Sequence, residues 1–148
     1  MNAPLLEARN VVKSFPTRNA LGFTTGKVDA VRDVSFTIRQ GETYGLVGES
    51  GSGKSTMGRI LQSLIEPSSG DVLYRGKSLS SFTSRELREY KTRVQMVFQD
   101  PHSSLNPRRR IGTILNEALL IQGVSEKSER RKRVRDALEE VGFGEEHE

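Results

Sequence analysis

Alternating hydrophobic and polar positions dominate the first third of the chain. Residues 5–14 predict a first strand, and Val28–Ile38 predicts a second because apolar residues alternate with polar ones from Val34 to Ile38. The residues between them, 16–27, are rich in proline and glycine and predict a loop or a hairpin tip. With turns rather than helices between them, these early strands are expected to be antiparallel.

Three shorter apolar segments predict further strands, namely Glu42–Val47, Asp71–Tyr74 and Val94–Phe98. The third is apolar enough to predict burial on both faces, which is typical of a parallel strand. The first and third need parallel neighbours to build a protected sheet, and no closing strand follows the final predicted helix. The fold is therefore expected to be unfinished.

Segments with helical periodicity lie between and after these strands. The first, which follows residue 53, carries its apolar residues on one face: Met57, Ile60, Leu61, Leu64 and Ile65. A second helix is predicted to begin at Thr83, where Thr83 and Glu86 are spaced for a capping box and Phe82 and Leu87 for a hydrophobic staple. Two more helices are predicted at Thr113–Gln122 and Ser125–Val141.

Composition excludes several classes of protein. The 148 residues are 34% hydrophobic and 28% charged, and they include no cysteine, which excludes disulfides, cysteine-based zinc sites and thiol catalysis. The longest apolar run, Ala118–Ile121, is far shorter than the about 20 residues of a membrane-spanning helix. The N-terminus has no basic, apolar signal pattern, so a cytoplasmic location is expected.

The net charge of +4 raises the question of an anionic partner. The charges are segregated, however: residues 127–135 are mostly basic, and residues 139–148 contain acids and no basic residue. Such a pattern is more typical of a solvated helix face than of a nucleic-acid footprint, and this interpretation extends to Arg130–Arg135 and, as a helix approach, to Arg108–Arg110. We therefore expect no nucleic-acid partner.

Residues 48–55 match the phosphate-loop pattern G-x-x-x-x-G-K-[ST] at every specified position. They also lie where that loop functions, between a predicted strand and a predicted helix. The site residues predicted from this loop are Gly48, Glu49, Ser50, Gly51, Ser52, Gly53, Lys54, Ser55 and Thr56. Glycines let the backbone N–H groups surround a phosphate, Lys54 reaches the β- and γ-phosphates, and the Ser55 hydroxyl binds Mg²⁺. The segment predicts a nucleotide-phosphate site.

Gln99 ends the predicted strand Val94–Phe98, at the sheet edge where the phosphate loop also lies. An amide oxygen there could coordinate Mg²⁺ or orient a water molecule. The residues alone leave this role and that of an ordinary solvent-facing side chain equally open.

At this point the sequence resembles the nucleotide-binding subunits of ABC transporters, over essentially the whole chain. The resemblance implies ATP and Mg²⁺ as cofactors, a Mg²⁺-contacting role for Gln99, and stacking of adenine on Phe15. It also implies a P-loop NTPase core of the α/β class with an antiparallel β subdomain (residues 1–100), followed by the beginning of a helical subdomain (residues 101–148).

Within that family the chain resembles most the oligopeptide, dipeptide and nickel importers, through residues 45–51 and through the run Gln99-Asp100-Pro101-His102-Ser103-Ser104-Leu105-Asn106-Pro107-Arg108. The resemblance implies an ATP-binding subunit that couples ATP binding and hydrolysis to solute uptake. It would pair with a second ATP-binding subunit and contact the permease through about residues 100–122, on the inner face of the membrane.

The chain departs from the family pattern at its end. It has no Leu-Ser-Gly-Gly-Gln-type signature, no apolar strand ending in Asp-Glu, and no switch histidine, since His102 and His147 lie elsewhere. We therefore expect the N-terminal portion of such a subunit, with no catalytic residue of its own and no ATP hydrolysis when alone. Two other hypotheses remain. A small P-loop kinase does not predict the Gln99 motif, and a nucleic-acid-handling P-loop ATPase is suggested by the high isoelectric point.

Overall fold

The computed structural model describes residues 3–99 and 105–143, which form two compact units, Met1–Met96 and Val97–Glu148. The boundary between the predicted domains, at residue 100, stays a prediction.

Four antiparallel strands form the sheet of the first unit, in the order β2-β1-β3-β4. The strands are β1 (Pro4–Arg18), β2 (Thr24–Arg39), β3 (Ser69–Tyr74) and β4 (Lys77–Ser78). The predicted strands at 5–14, 28–38 and 71–74 are therefore confirmed. The hairpin tip is shorter than the predicted loop at 16–27, because β1 extends to Arg18 and β2 begins at Thr24, which leaves residues 19–23. β1 lies between β2 and β3, so its backbone is paired on both sides.

Two helices belong to this unit, α1 (Lys54–Leu61) and α2 (Ser84–Arg93), with a short 3₁₀ turn at Leu79–Ser81. The core between the sheet and these helices consists of Leu6, Ala8, Val11, Val31, Met57, Ile60, Val72 and Tyr90. Tyr90 of α2 donates a hydrogen bond from its hydroxyl to the carbonyl of Leu61 at the end of α1, which joins the two helices. Burial raises the pKa of the Tyr90 hydroxyl, so it remains a donor. The predicted helical face of α1 is wrong at Leu64 and Ile65, which lie beyond the end of the helix at Leu61. Leu64 is exposed, while Ile65 still packs against the core.

The capping box at the start of α2 is confirmed. The Thr83 hydroxyl accepts a hydrogen bond from the Glu86 N–H at 3.3 Å, and the Glu86 carboxylate accepts one from the Thr83 N–H at 2.8 Å. Lys77 also donates to Glu86 at 2.6 Å. The hydrogen bond from Lys77, with those from Thr83, lowers the pKa of Glu86 to about 2.

The strand predictions for residues 42–47 and 94–98 are wrong. Both segments are irregular, and Val47 and Val97 are 94% and 92% exposed. The reason is that a strand needs a hydrogen-bonded neighbour, and the described residues offer none beside either segment. We refer to residues 42–47 as the lead-in segment, since it leads into the phosphate loop.

Within its described residues the second unit has two helices, α3 (Ile111–Ile121) and α4 (Lys127–Glu140), in agreement with the predictions at 113–122 and 125–141. Val134 and Leu138 of α4 are buried, while Ala137 and Val141 are exposed. Among the helices of the described residues, none combines the length and the apolar character that crossing a membrane requires.

Candidate functional site

The phosphate loop, Gly48–Ser55, connects the lead-in segment to α1. The helix begins without a side-chain cap, and its first internal hydrogen bond joins the Met57 N–H to the Gly53 carbonyl at 2.8 Å. By helix geometry, the N–H groups of the residues before Met57 in this turn have no acceptor within the helix. They supply the donors and the partial positive charge that an anion requires, and Ser55 and Thr56 lie in this same turn.

Gly53 lies against the backbone of β2. Its φ is +91°, and a Cβ at this position would lie 1.9 Å from the Ala30 carbonyl oxygen. Neither the conformation nor the space accepts a side chain. This contact fixes the loop to the sheet, and it explains in structural terms why the motif requires glycine before the lysine.

Lys54 folds back over the loop. Its ammonium donates to the carbonyls of Gly48 at 2.7 Å and Glu49 at 2.5 Å, and it lies 3.3 Å from the Ser52 hydroxyl. The positive charge is therefore held among the loop residues rather than extended into solvent. Glu49 and Ser50 are exposed.

A cavity of about 490 Å³ lies beside the loop and reaches β2. Loop glycines and Lys54 form one side of it, and Asp29–Arg32 of β2 forms the other. The Ser14 hydroxyl of β1 donates to the Asp29 carboxylate at 2.7 Å, which fixes this wall. Sequence reasoning missed the wall, because only the register of the hairpin brings residues 29–32 beside the loop.

Phe15, predicted to stack on adenine, lies on β1 opposite Val28. It follows Ser14, the residue that holds the cavity wall, but it is not among the residues that line the cavity. Its ring is 41% exposed, with the Lys13 ammonium 5.3 Å from the ring centroid. Phe15 thus keeps part of its surface exposed, and its stacking role stays a prediction.

Gln99 belongs to the second unit and is exposed. Its predicted contact with Mg²⁺ stays a prediction. The motif residues that follow it, 100–104, lie outside the described residues.

The loop fits a nucleotide polyphosphate by its donor set. The loop has uncapped N–H groups at the start of α1 and one ammonium group, and the cavity beside it is large enough for more than a single phosphate. In the described residues, no group of three or more His, Asp and Glu side chains could hold a metal ion. A Mg²⁺ ion at this loop would therefore depend on hydroxyl, amide, water and phosphate oxygens.

Comparison with known families agrees with this geometry. The ABC transporter family model matches residues 31–148, which include the loop, α1 and all residues after them. The chain belongs to the ABC transporter family. The resemblance to ABC transporter subunits that the sequence indicates is therefore confirmed.

Two curated relatives are similar over nearly the whole chain. A peptide import ATP-binding protein of Brucella ovis is 48% identical over 138 residues, which is 93% of this chain and 42% of that protein. The glutathione import ATP-binding protein GsiA of Salmonella typhi is 41% identical over 145 residues, 97% of this chain and 23% of that protein. The chain thus spans less than half the length of the relatives it matches.

Among solved structures, the ATP-binding cassette MJ0796 shares the fold. Its dimeric post-hydrolysis state, bound to ADP and phosphate, matches with a TM-score of 0.71 and 26% identity, over 96% of this chain and 59% of that one. The predicted α/β fold of a P-loop NTPase with an antiparallel sheet is confirmed. The match also shows that an ABC cassette of this fold holds nucleotide products.

Proposed function

We propose that the chain is the nucleotide-binding part of the ATP-binding subunit of an ABC importer. The single observation that carries the proposal is the uncapped start of α1 with the Lys54 ammonium held inside the phosphate loop. In this proposal ATP supplies the phosphoanhydride bond whose hydrolysis the intact transporter uses. This chain's residues bind and orient the phosphates.

The site residues have separate roles in the proposal. Backbone N–H groups from Gly48 to Thr56 surround the phosphates, and Lys54 neutralises their charge. Ser55 and Gln99 supply oxygens to Mg²⁺. Phe15 stacks on the adenine, which the partial exposure of this residue supports.

We further propose peptides as the transported class. The relatives are named for peptide and glutathione import, and glutathione is itself a tripeptide. This favours peptides over nickel, the other solute of the resembled branch. The intact subunit would pair with a second ATP-binding subunit and contact the permease through about residues 100–122 at the inner membrane face.

The test is binding of a fluorescent ATP analogue to the purified chain with and without Mg²⁺. Lys54→Ala is expected to abolish binding, because it removes the one cation placed among the loop carbonyls. The matched control is Lys91→Ala, which removes an exposed lysine of α2 that makes no side-chain hydrogen bond with the described residues. Equal affinity of the Lys54→Ala variant and the parent chain would refute the site assignment.

A further inference from the structure

A second polar cavity, of about 350 Å³, lies between α3 and α4 in the helical unit. We call it the helical groove. Residues on one face of each helix line it: Gly112, Thr113 and Asn116 of α3, and Lys127, Arg130, Arg131 and Val134 of α4. Val134 is buried, so the groove has an apolar floor and a polar rim.

Arg130 fixes the geometry of the rim. Its Nη1 donates to the carbonyls of Val124 and Ser125 at 2.8 and 2.6 Å, which joins α4 to the turn before it. Its Nε donates to Asn116 Oδ1 at 3.0 Å, which joins α4 to α3. Since Nε can only donate, the Asn116 atom it faces is the oxygen, and the amide Nδ2 is left as a donor.

The groups that remain on the rim are donors. Lys127 and Arg131 make no ion pair or side-chain hydrogen bond with any described residue, and neither do the Asn116 amino group and the Thr113 hydroxyl. The one side-chain acceptor of the amide is already used by Arg130. A rim with two unpaired cations, a free amide N–H₂ and a hydroxyl is complementary to an anion rich in oxygen acceptors.

The acids near α4 do not neutralise these cations. Glu126 caps the helix: it accepts from the Ser128 hydroxyl and from the N–H groups of Ser128 and Glu129. These hydrogen bonds, first of all the one from the Ser128 hydroxyl, lower the pKa of Glu126, so its charge is committed to the helix start. Glu129 is paired with Arg133 at 2.7 Å.

We propose that the helical groove binds a phosphoryl group, carried either by a soluble phosphate ester or by a phospholipid headgroup. A phosphate dianion presents three acceptor oxygens and about two charges, which match two cations and two neutral donors better than a carboxylate does. The site is separate from the phosphate loop and uses none of its residues. The proposal also gives a binding role to Lys127 and Arg131, which belong to the basic run 127–135 that the sequence alone predicts to be a solvated helix face.

The test is residue-resolved NMR of the ¹⁵N-labelled chain, whose mass of 16.5 kDa suits the method. Inorganic phosphate is added, with sodium chloride at matched ionic strength as the reference. Saturable shifts are expected at the amides of Gly112, Thr113 and Asn116. Binding at the phosphate loop would shift Gly48–Ser55 instead, so the failure of either site is seen separately.

Arg131→Gln is expected to weaken phosphate binding in the groove about tenfold, the loss of one charge-assisted hydrogen bond. The matched control is Arg135→Gln, which removes the same charge from the same helix outside the groove and is expected to change affinity less than about twofold. Lys127→Gln serves as a second groove variant if Arg131→Gln is poorly folded. Equal losses in the groove and control variants would overturn the proposal in favour of nonspecific screening.

Two further additions identify the source of the phosphoryl group. Vesicles of phosphatidylglycerol that broaden the groove resonances, where phosphatidylcholine vesicles do not, identify an anionic lipid headgroup. Saturation by glycerol 3-phosphate without a vesicle effect identifies a soluble ester. Acetate binding as tightly as phosphate, or shifts no larger than those from sodium chloride, would refute the phosphoryl assignment.

Discussion

β1 and the lead-in segment are both predicted strands, and only β1 is one. β1 pairs with β2 on one side and β3 on the other, and Val11 at its centre is fully buried. The lead-in segment has a comparable apolar pattern, yet it forms no ladder with the described residues and leaves Val47 94% exposed. A strand is therefore a property of a pair of segments, and an apolar pattern reports only that a segment is suited to pairing.

The largest loss of stability is expected at Gly53, where the loop after the lead-in segment contacts the sheet. Gly53→Ala is expected to destabilise the chain by more than about 3 kcal/mol, because the new Cβ meets the Ala30 carbonyl and the positive φ is unfavourable. Urea unfolding measures this loss. The matched control is Gly41→Ala, which has φ +78° and open space around it, and which should lose about 1 kcal/mol. Equal losses would show that the contact with β2 is unimportant.

An effect of intermediate size is expected from a matched pair of valine substitutions, one in β1 and one in the lead-in segment. Val11→Ala removes buried methyl groups from β1 and is expected to lower the free energy of unfolding by about 2 kcal/mol. Val47→Ala makes the same chemical change in the lead-in segment and should stay within about 0.5 kcal/mol of the parent chain. Both values come from the same unfolding assay. A large loss at Val47 would mean that the lead-in segment is paired in solution.

The smallest effect on stability is expected at the capping box, whose partners Thr83 and Glu86 lie close together in sequence. Glu86 has a pKa of about 2 in the folded chain against 4.5 ordinarily, so its charged form favours folding above about pH 4.5. This contribution is lost as the pH falls from about 5 towards 2. The stability difference between the parent and Glu86→Gln should therefore shrink over that range, as followed by unfolding at several pH values. Glu66→Gln, whose carboxylate accepts no hydrogen bond from the described residues, is the control for the removal of one carboxylate, and an equal change in that variant would show that the effect is not specific to the capping box.

Local signals explain what could be predicted from the sequence. The capping box needs only Thr83 and Glu86, and the phosphate loop needs only eight consecutive residues, so both follow from spacing. The hairpin strands also follow, because alternation and turn residues are adjacent in the chain.

The remaining features depend on contacts between distant segments. The position of Asp29 in the cavity wall depends on the register of the hairpin and on its hydrogen bond with Ser14. Neither feature follows from a sequence motif. The requirement for glycine at position 53 has its physical cause in Ala30, whose carbonyl is brought there by β2. The strand prediction for the lead-in segment is wrong because an apolar pattern is local, while a strand requires a partner from elsewhere in the chain.

The register of the sheet also sets an order of folding. β1 and β2 are joined by the short tip at residues 19–23, and hairpins form within roughly 1–10 μs. The pairing of Val12 with Ser69 closes a much longer loop, which costs more chain entropy and is slower. We therefore expect the hairpin to form first and to serve as the template on which β3 and α1 assemble. Substitutions in the hairpin should then slow refolding, while those in β3 should mainly accelerate unfolding.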